Sequence, residues 1–165
     1  MTGTARPFGT DVVAMAHRSI AELLAERRRS VARLTPREAW AAICELDGVL
    51  IDLRDDAQRG REGEIPGAFL VARNVFEWRF ACSEGGRDPR LPERDGFPIV
   101  LCGQGFQSSL AAAALVELGF TRAADVVDGF TGWREAGLPV VPYGTVPVRR
   151  AVAGGPDDPA PGAYG

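Results

Sequence analysis

The sequence contains no lysine, and all 19 of its basic residues are arginines. That excludes Schiff-base chemistry and a lysine general base. A single histidine, His17, and three cysteines, Cys44, Cys82 and Cys102, are present. An odd cysteine count without a secretory leader argues against a disulfide framework. No two cysteines have C-x-x-C spacing, and one histidine leaves too few ligands for a structural metal site, so no metal is expected. Long apolar runs are missing too; none approaches the roughly 20 residues that cross a bilayer. The opening MTGTARPFGTDVV lacks a charged start followed by an apolar stretch, which makes the cytoplasm the expected location. There is no basic excess. A net charge of −3 points to neither nucleic acid nor a membrane surface as a partner.

What is present suits a globular domain. The chain has 165 residues, 45% hydrophobic and 25% charged, enough for one domain with an added element at one end. Residues 11–33 carry a helical stripe of Val12, Met15, Ala16, Ile20, Leu23 and Leu24. It ends in ERRRS, where Arg27, Arg28 and Arg29 read as a solvated turn, with a binding patch as the alternative. In LTPREAWAAICELDG, Thr35, Pro36 and Glu38 signal a helix start, Cys44 reads as a small packed residue, and Gly48 closes the helix. VLIDLR reads as a buried parallel strand, and a turn at Pro66 and Gly67 precedes a short strand over 68–71. NVFEWRFAC is expected to be helical, with Val75, Phe76 and Phe80 inward. FPIVLC is another strand, residues 107–118 an Ala- and Leu-rich helix, AADVVDG a strand and FTGWREAG a last short helix. Strands alternating with helices predict an α/β domain with a mostly parallel sheet and right-handed crossovers. Such sheets place their sites at the carboxyl ends of strands, where Cys102, Asp52, Arg54 and Asp128 fall.

The stretch VLCGQGFQSS holds the chemistry. A strand stops at Cys102 and a helix starts near Gln107, so Gly103, Gln104, Gly105, Phe106, Gln107 and Ser108 must reverse the chain. Gly103 and Gly105 permit a positive φ and close backbone approach. The amides of such a turn can form an anion-binding nest, to which the helix adds free N–H groups and Ser108 and Ser109 add hydroxyls. A sulfur at its centre would be favoured as an anion and could hold a second sulfur as a persulfide. The residues alone fit a buried strand-end thiol followed by a glycine turn equally well.

The flanking segments resemble the rhodanese-like family. LIDLRDDAQRGREGEIPGAF is similar to its D-x-R…G-H-I-P-G-A segment, and PIVLCGQGFQSSLAAAALVELGF to its active-site loop and helix. VVDGFTGWREAGLPV is similar to its closing segment, and the three occur in order over residues 34–140. EIPGA followed by RNV-x-EWR, residues 64–79, is similar to a subgroup of small bacterial members. The resemblance implies a three-layer sandwich around a sheet of about five strands, and a sulfurtransferase mechanism without a cofactor. Cys102 would take a sulfane sulfur from a small anion such as thiosulfate, or from a persulfide, and pass it to cyanide or a thiol.

Two positions depart from the family pattern. Gln107 stands where the loop usually has arginine, and Glu64 where histidine usually precedes Ile-Pro-Gly. Loss of the loop cation is expected to weaken thiosulfate binding by about 1.5–3 kcal/mol. Arg73 and Arg79 are candidates to supply charge from beside the site and Trp78 an apolar wall, with surface charge and partial core packing as the alternatives. Asp52 and Arg54 are expected to brace the loops, and Asp128 and Trp133 to serve as a turn residue and a core anchor. Cys82 is a candidate resolving thiol.

Two other functions compete with catalysis of sulfur transfer. A cysteine phosphatase needs C-x5-R, and the arginine position holds Ser108. A sulfur-carrier or persulfide-binding interaction module, weakly catalytic or not at all, fits the missing loop arginine. The domain division expected is a helical N-terminal extension over 1–33, a rhodanese-like domain over 34–142 and a flexible tail over 143–165. The N-terminal helix is a candidate homodimer interface.

Overall fold

The computed structural model describes residues 17–147 and 149–152. One parallel six-stranded sheet, ordered β1-β5-β4-β2-β3-β6, runs through it. The strands are β1 (Ala32–Leu34), β2 (Gly48–Asp52), β3 (Phe69–Leu70), β4 (Phe97–Leu101), β5 (Ala124–Val126) and β6 (Arg149–Arg150). The helices are α1 (Ile20–Arg28), α2 (Pro36–Glu45), α3 (Asp56–Glu62), α4 (Phe76–Ala81), α5 (Gln107–Glu117) and α6 (Gly129–Glu135), with a 3-10 turn at Arg73–Val75. Among the described residues no helix is long and apolar enough to cross a membrane.

Successive side chains of a strand point to opposite faces, and this alternation sorts the core. Ile51 and Val100 pack with Phe76 and Phe80 of α4 and the alanines of α5 on one face. Leu50, Ile99 and Leu101 pack with Ala39 and Ala42 of α2 and Phe130 and Trp133 of α6 on the other. Cys102 continues the alternation of β4 onto the α5 face. The period of the strand therefore aims its thiol beneath the start of α5. Trp133 is fully buried, meets Trp40 edge-on at 5.8 Å and donates its indole N–H to Pro139 O at 3.1 Å, as expected of an anchor. A side chain of this size contributes roughly 3 kcal/mol or more to the core.

Several local expectations are corrected. Helix α1 ends at Arg28 instead of continuing to Arg33, because Ala32–Leu34 leaves to pair with β5 at the sheet edge. The part of the predicted stripe at Val12, Met15 and Ala16 lies outside the described residues. The charged stretch RDDAQRGRE hides α3, which is capped by Asp55: its carboxylate accepts from the Gln58 N–H at 2.7 Å. The sheet has six strands where about five are expected; the sixth is formed by Arg149 and Arg150, which pair with β3, and Ala151 N–H donates to Leu70 O at 2.8 Å. Tail residues 153–165 lie outside the described residues. Thr35, Pro36 and Glu38 start α2 through a capping box. Gly48 does not close that helix; it opens β2, where a Cβ would lie 2.8 Å from Ala42 O. Cys44 is exposed on α2, not packed.

Candidate active site

Strand β4 ends at Leu101, and the next residue, Cys102, is buried at the base of the loop leading into α5. Two groups of α5 address its sulfur. The Ser108 hydroxyl lies 3.3 Å from Sγ, and the Ser108 N–H donates to Sγ at 3.4 Å. The hydroxyl can rotate to donate when the sulfur is an anion.

The loop carbonyls are tied to the surrounding protein. Cys102 O accepts from Phe130 N–H at 2.8 Å, and Gly103 O accepts from the Thr131 N–H at 3.1 Å and the Thr131 hydroxyl at 3.2 Å. Gly105 O faces Arg28 Nη2 and Ser109 Oγ, each at 2.9 Å. No protein acceptor among the described residues meets the N–H groups of Gly103, Gln104, Gly105, Phe106 or Gln107. In a trans peptide the N–H points opposite to the C=O. Pinning those three carbonyls to α6 and α1 therefore turns the Gly103, Gln104 and Phe106 amides the other way. No side chain caps α5, so its first N–H groups and the positive end of its dipole are open to a ligand. The arrangement can hold an anion.

Backbone freedom makes this loop possible at two glycines. Gly105 has φ +77. Gly129, at φ +56, sits so close under the loop that a Cβ would lie 2.7 Å from the Gly105 nitrogen. The residue before it, Asp128, is left-handed at φ 57 and makes the turn from β5 into α6.

The cavity over Cys102 holds about 400 Å³, within the usual range for small-ligand sites. Gln58, Gln104, Phe106, Gln107 and Thr131 line it, together with one carboxylate, Glu62, and no cation. A second cavity of about 440 Å³ shares Leu53, Gln58 and Gln107 with the first and is lined by Arg73 and Arg150. Arg73 is thus brought next to the site, with its guanidinium on Glu77 at 2.9 Å. Arg79 is not. It lines a separate groove with Trp78 and Cys82, donates to Gly86 O at 3.0 Å, and buries an Nε with no hydrogen-bond partner among the described residues. Trp78, 59% exposed, is no wall of the Cys102 cavity, and Cys82 shares no cavity with Cys102.

Asp52 and Arg54 are both fully buried, and Arg54 Nη2 donates to Asp52 Oδ2 at 2.8 Å. Arg54 Nη1 reaches Glu62 at 3.0 Å and the guanidinium lies 3.6 Å over the Phe130 ring. This cation ties the end of β2 to α3 and α6, the two helices that flank the loop. Glu64 has no place at the cavity. It is buried, accepts from Arg59 Nε at 3.4 Å and from Gly144 N–H at 3.0 Å, and braces the chain behind α3. Sequence reasoning does not single out Gln58 or Thr131, and it reads Arg28 as part of a solvated turn, which its contacts to Gly105 O and Ser109 Oγ correct. The Asp55-x-x-Gln58 capping signal could have placed Gln58; nothing local marks the other two.

Comparison with known proteins identifies the family and the fold. The family model described as the rhodanese-like domain matches residues 35–136. Thiosulfate sulfurtransferase GlpE of Actinobacillus succinogenes is 34% identical over 116 residues, covering 70% of this chain and 96% of its own. The protein of the same name from Haemophilus influenzae is 30% identical over 111 residues, covering 67% and 95%. Among solved structures, a Rhodopseudomonas palustris protein of unknown function, described as a possible tyrosine phosphatase, aligns with a TM-score of 0.70 at 29% identity. That match covers 83% of this chain and 100% of the other. Thiosulfate sulfurtransferase from Pseudomonas aeruginosa shares the fold, with a TM-score of 0.63 at 23% identity over 79% of this chain and 23% of that one.

Proposed function

The chain belongs to the rhodanese-like domain family, and from that membership we propose how its residues carry the reaction. It is a sulfurtransferase that works through a persulfide on Cys102. The Cys102 thiolate attacks the sulfane sulfur of a thiosulfate-type donor. The new bond joins Sγ to that sulfur, the bond to the sulfonate sulfur breaks, and its electron pair leaves with sulfite. A thiolate or cyanide then attacks the outer sulfur and departs as a persulfide or thiocyanate, restoring the Cys102 thiolate. Charge balances in both half-reactions, and the kinetics are ping-pong.

One observation carries this reading: a buried cysteine under a loop whose carbonyls are tied outward and whose amides, Gly103 to Gln107, meet no protein acceptor among the described residues. Those amides and Ser108 would hold the persulfide anion. The same geometry argues against phosphatase chemistry, since Ser108 stands six residues after Cys102 where that chemistry needs arginine. With Glu62 and no cation on the Cys102 cavity, the donor range extends to persulfides, and Arg73 is the group we assign to a donor sulfonate arriving from the neighbouring cavity. Arg79 is left out of the substrate set because it lines another groove.

A cytoplasmic setting belongs to the same reading and is supported by three free thiols, one of them exposed. A homodimer through α1 is supported by Ile20, 70% exposed beside an apolar groove that also takes in Leu24 and Phe106. Light scattering tests it, with Ile20→Glu expected to give the monomer; a monomeric parent protein rejects it.

Intact mass tests the chemistry. Thiosulfate or a persulfide donor is expected to add one sulfur to the protein, cyanide to remove it, and Cys102→Ser to abolish the gain. No gain with any donor rejects the reading.

A further inference from the structure

Helix α1 lies outside residues 35–136, the segment that matches the family, yet its last residue reaches the loop. Arg28 Nη2 lies 2.9 Å from Gly105 O, and Arg28 Nε 3.1 Å from Ser109 Oγ. The Ser109 hydroxyl also lies 2.9 Å from Gly105 O and 2.6 Å from Oδ2 of the buried Asp125. Arg33 Nε pairs with the other oxygen of Asp125 at 3.1 Å.

A hydroxyl has one proton to donate. The shorter contact, to the carboxylate Asp125, is the charge-assisted one and the stronger claim on that proton. Ser109 Oγ then accepts from Arg28 Nε, and Arg28 Nη2 is left as the standing donor to Gly105 O. Gly105, at φ +77, is where the loop is least constrained by its own backbone. Holding its carbonyl toward α1 holds the Phe106 N–H away from α1, because the two are antiparallel in a trans peptide. A rotated Gly105–Phe106 peptide would present a carbonyl oxygen to an anion in place of an N–H.

We propose that Arg28 is a positioning residue for sulfur transfer, and that α1 is part of the active site through it. The inference rests on the sulfurtransferase reading above. Arg28 does not line the Cys102 cavity, so it acts through the loop and not on the donor. Arg33, paired with Asp125 directly, and Arg28, linked to it through the Ser109 hydroxyl, also set positive charge against that buried carboxylate at the first turn of α5. Without that offset the carboxylate would oppose the helix dipole at the persulfide.

The test compares Arg28→Ala and Arg28→Lys with Arg29→Ala, an exposed neighbour in the same turn that serves as control. Arg28→Ala is expected to lower kcat for thiosulfate:cyanide transfer roughly tenfold, the scale of one lost hydrogen bond, with KM within about twofold. Arg28→Lys keeps the charge but lacks the planar fork that bridges two acceptors, and is expected to recover part of the loss. Arg29→Ala should match the parent. Amide exchange at Phe106 in the unloaded protein gives a readout independent of turnover; Arg28→Ala should change it and Arg29→Ala should not. If Arg28→Ala fails to fold, the same measurements on Arg28→Lys carry the test. Parent-level kcat per folded molecule in Arg28→Ala, or a raised KM at unchanged kcat, overturns the positioning role while the parent still takes up sulfur. A parent that takes up no sulfur overturns the functional reading itself.

Discussion

Gly129 lies directly beneath Cys102, and a Cβ at Gly129 would overlap the Cys102 carbonyl oxygen. That carbonyl is one of the three whose fixed direction opens the loop amides, and it is held by the N–H of Phe130, the next residue along α6. The loop and the start of α6 are therefore a single packed unit. Gly129→Ala would push the loop off α6 and also place an L side chain at φ +56. Overpacking and backbone strain together should cost about 2–4 kcal/mol. The expected outcome is a lower Tm, with persulfide loading by mass falling even at temperatures where the variant is fully folded. Full loading in a folded variant would show that the loop does not depend on this contact.

Gln107 lines both the Cys102 cavity and the neighbouring one that holds Arg73. Gln107→Arg would add the cation that this cavity lacks. It should raise kcat/KM for thiosulfate about tenfold, with a gain that shrinks as salt is added, because a charge-assisted bond to the sulfonate is worth roughly 1.5 kcal/mol or more. A persulfide donor, which has no sulfonate for the new guanidinium to hold, should gain far less. Equal gains on both donors would mean that the substitution acts on the loop and not on the sulfonate.

Arg54 is fully buried between Asp52, Glu62 and the face of Phe130. Removing one partner of a buried ion pair leaves the other charge stranded, which costs about 3–5 kcal/mol. Arg54→Ala should lose stability on that scale by urea unfolding. The double variant Asp52→Asn with Arg54→Met should recover much of it, because both charges leave together. Since α3 and α6 both hang on this cation, activity should fall in the single variant before the protein unfolds.

The sequence makes Cys102 and its loop legible because the needed signals are local. A strand end, two glycines and a helix start fall within ten residues, and the alternation of β4 places the thiol on the α5 face. Arg28 is not legible in the same way. Its contact to Gly105 spans 77 positions, and from the helix pattern alone three arginines at a C-terminus look solvated. Arg73 and Arg79 illustrate the same limit. Arg73 precedes the short helix α4 and Arg79 lies within it, and this places Arg73 on the cavity adjoining the loop and Arg79 on a separate groove. Helix α3 was hidden because it has seven residues, five of them charged or amide, and its inward residue is Arg59. β6 was hidden because two exposed arginines carry no apolar pattern, and it is held by partners far away in sequence.

Those partners make β6 an acid-sensitive element. Asp88 is buried, accepts from Arg90 at 2.9 Å and 2.6 Å and from the Val152 N–H at 3.0 Å, while Arg90 also donates to Arg150 O at 2.8 Å. Burial pushes the Asp88 carboxyl up, but the bonds from Arg90 and Val152 outweigh it and hold the group down to about 2, from 3.8. A carboxyl depressed on folding contributes stability above its unfolded value and loses it as the pH falls through the folded one. The window is therefore from about 4 down to about 2, and the loss should be on the order of 1–2 kcal/mol, discounted because Arg90 is half exposed. Amide exchange at Ala151 and Val152, whose N–H groups hold β6 to Leu70 and Asp88, should accelerate across that window ahead of β4 and β5. Asp88→Asn should already show the faster exchange at pH 7 and be flat through the acid window. Identical acid profiles in the two proteins would assign the release of β6 to other carboxylates, such as Asp56, which pairs with Arg150.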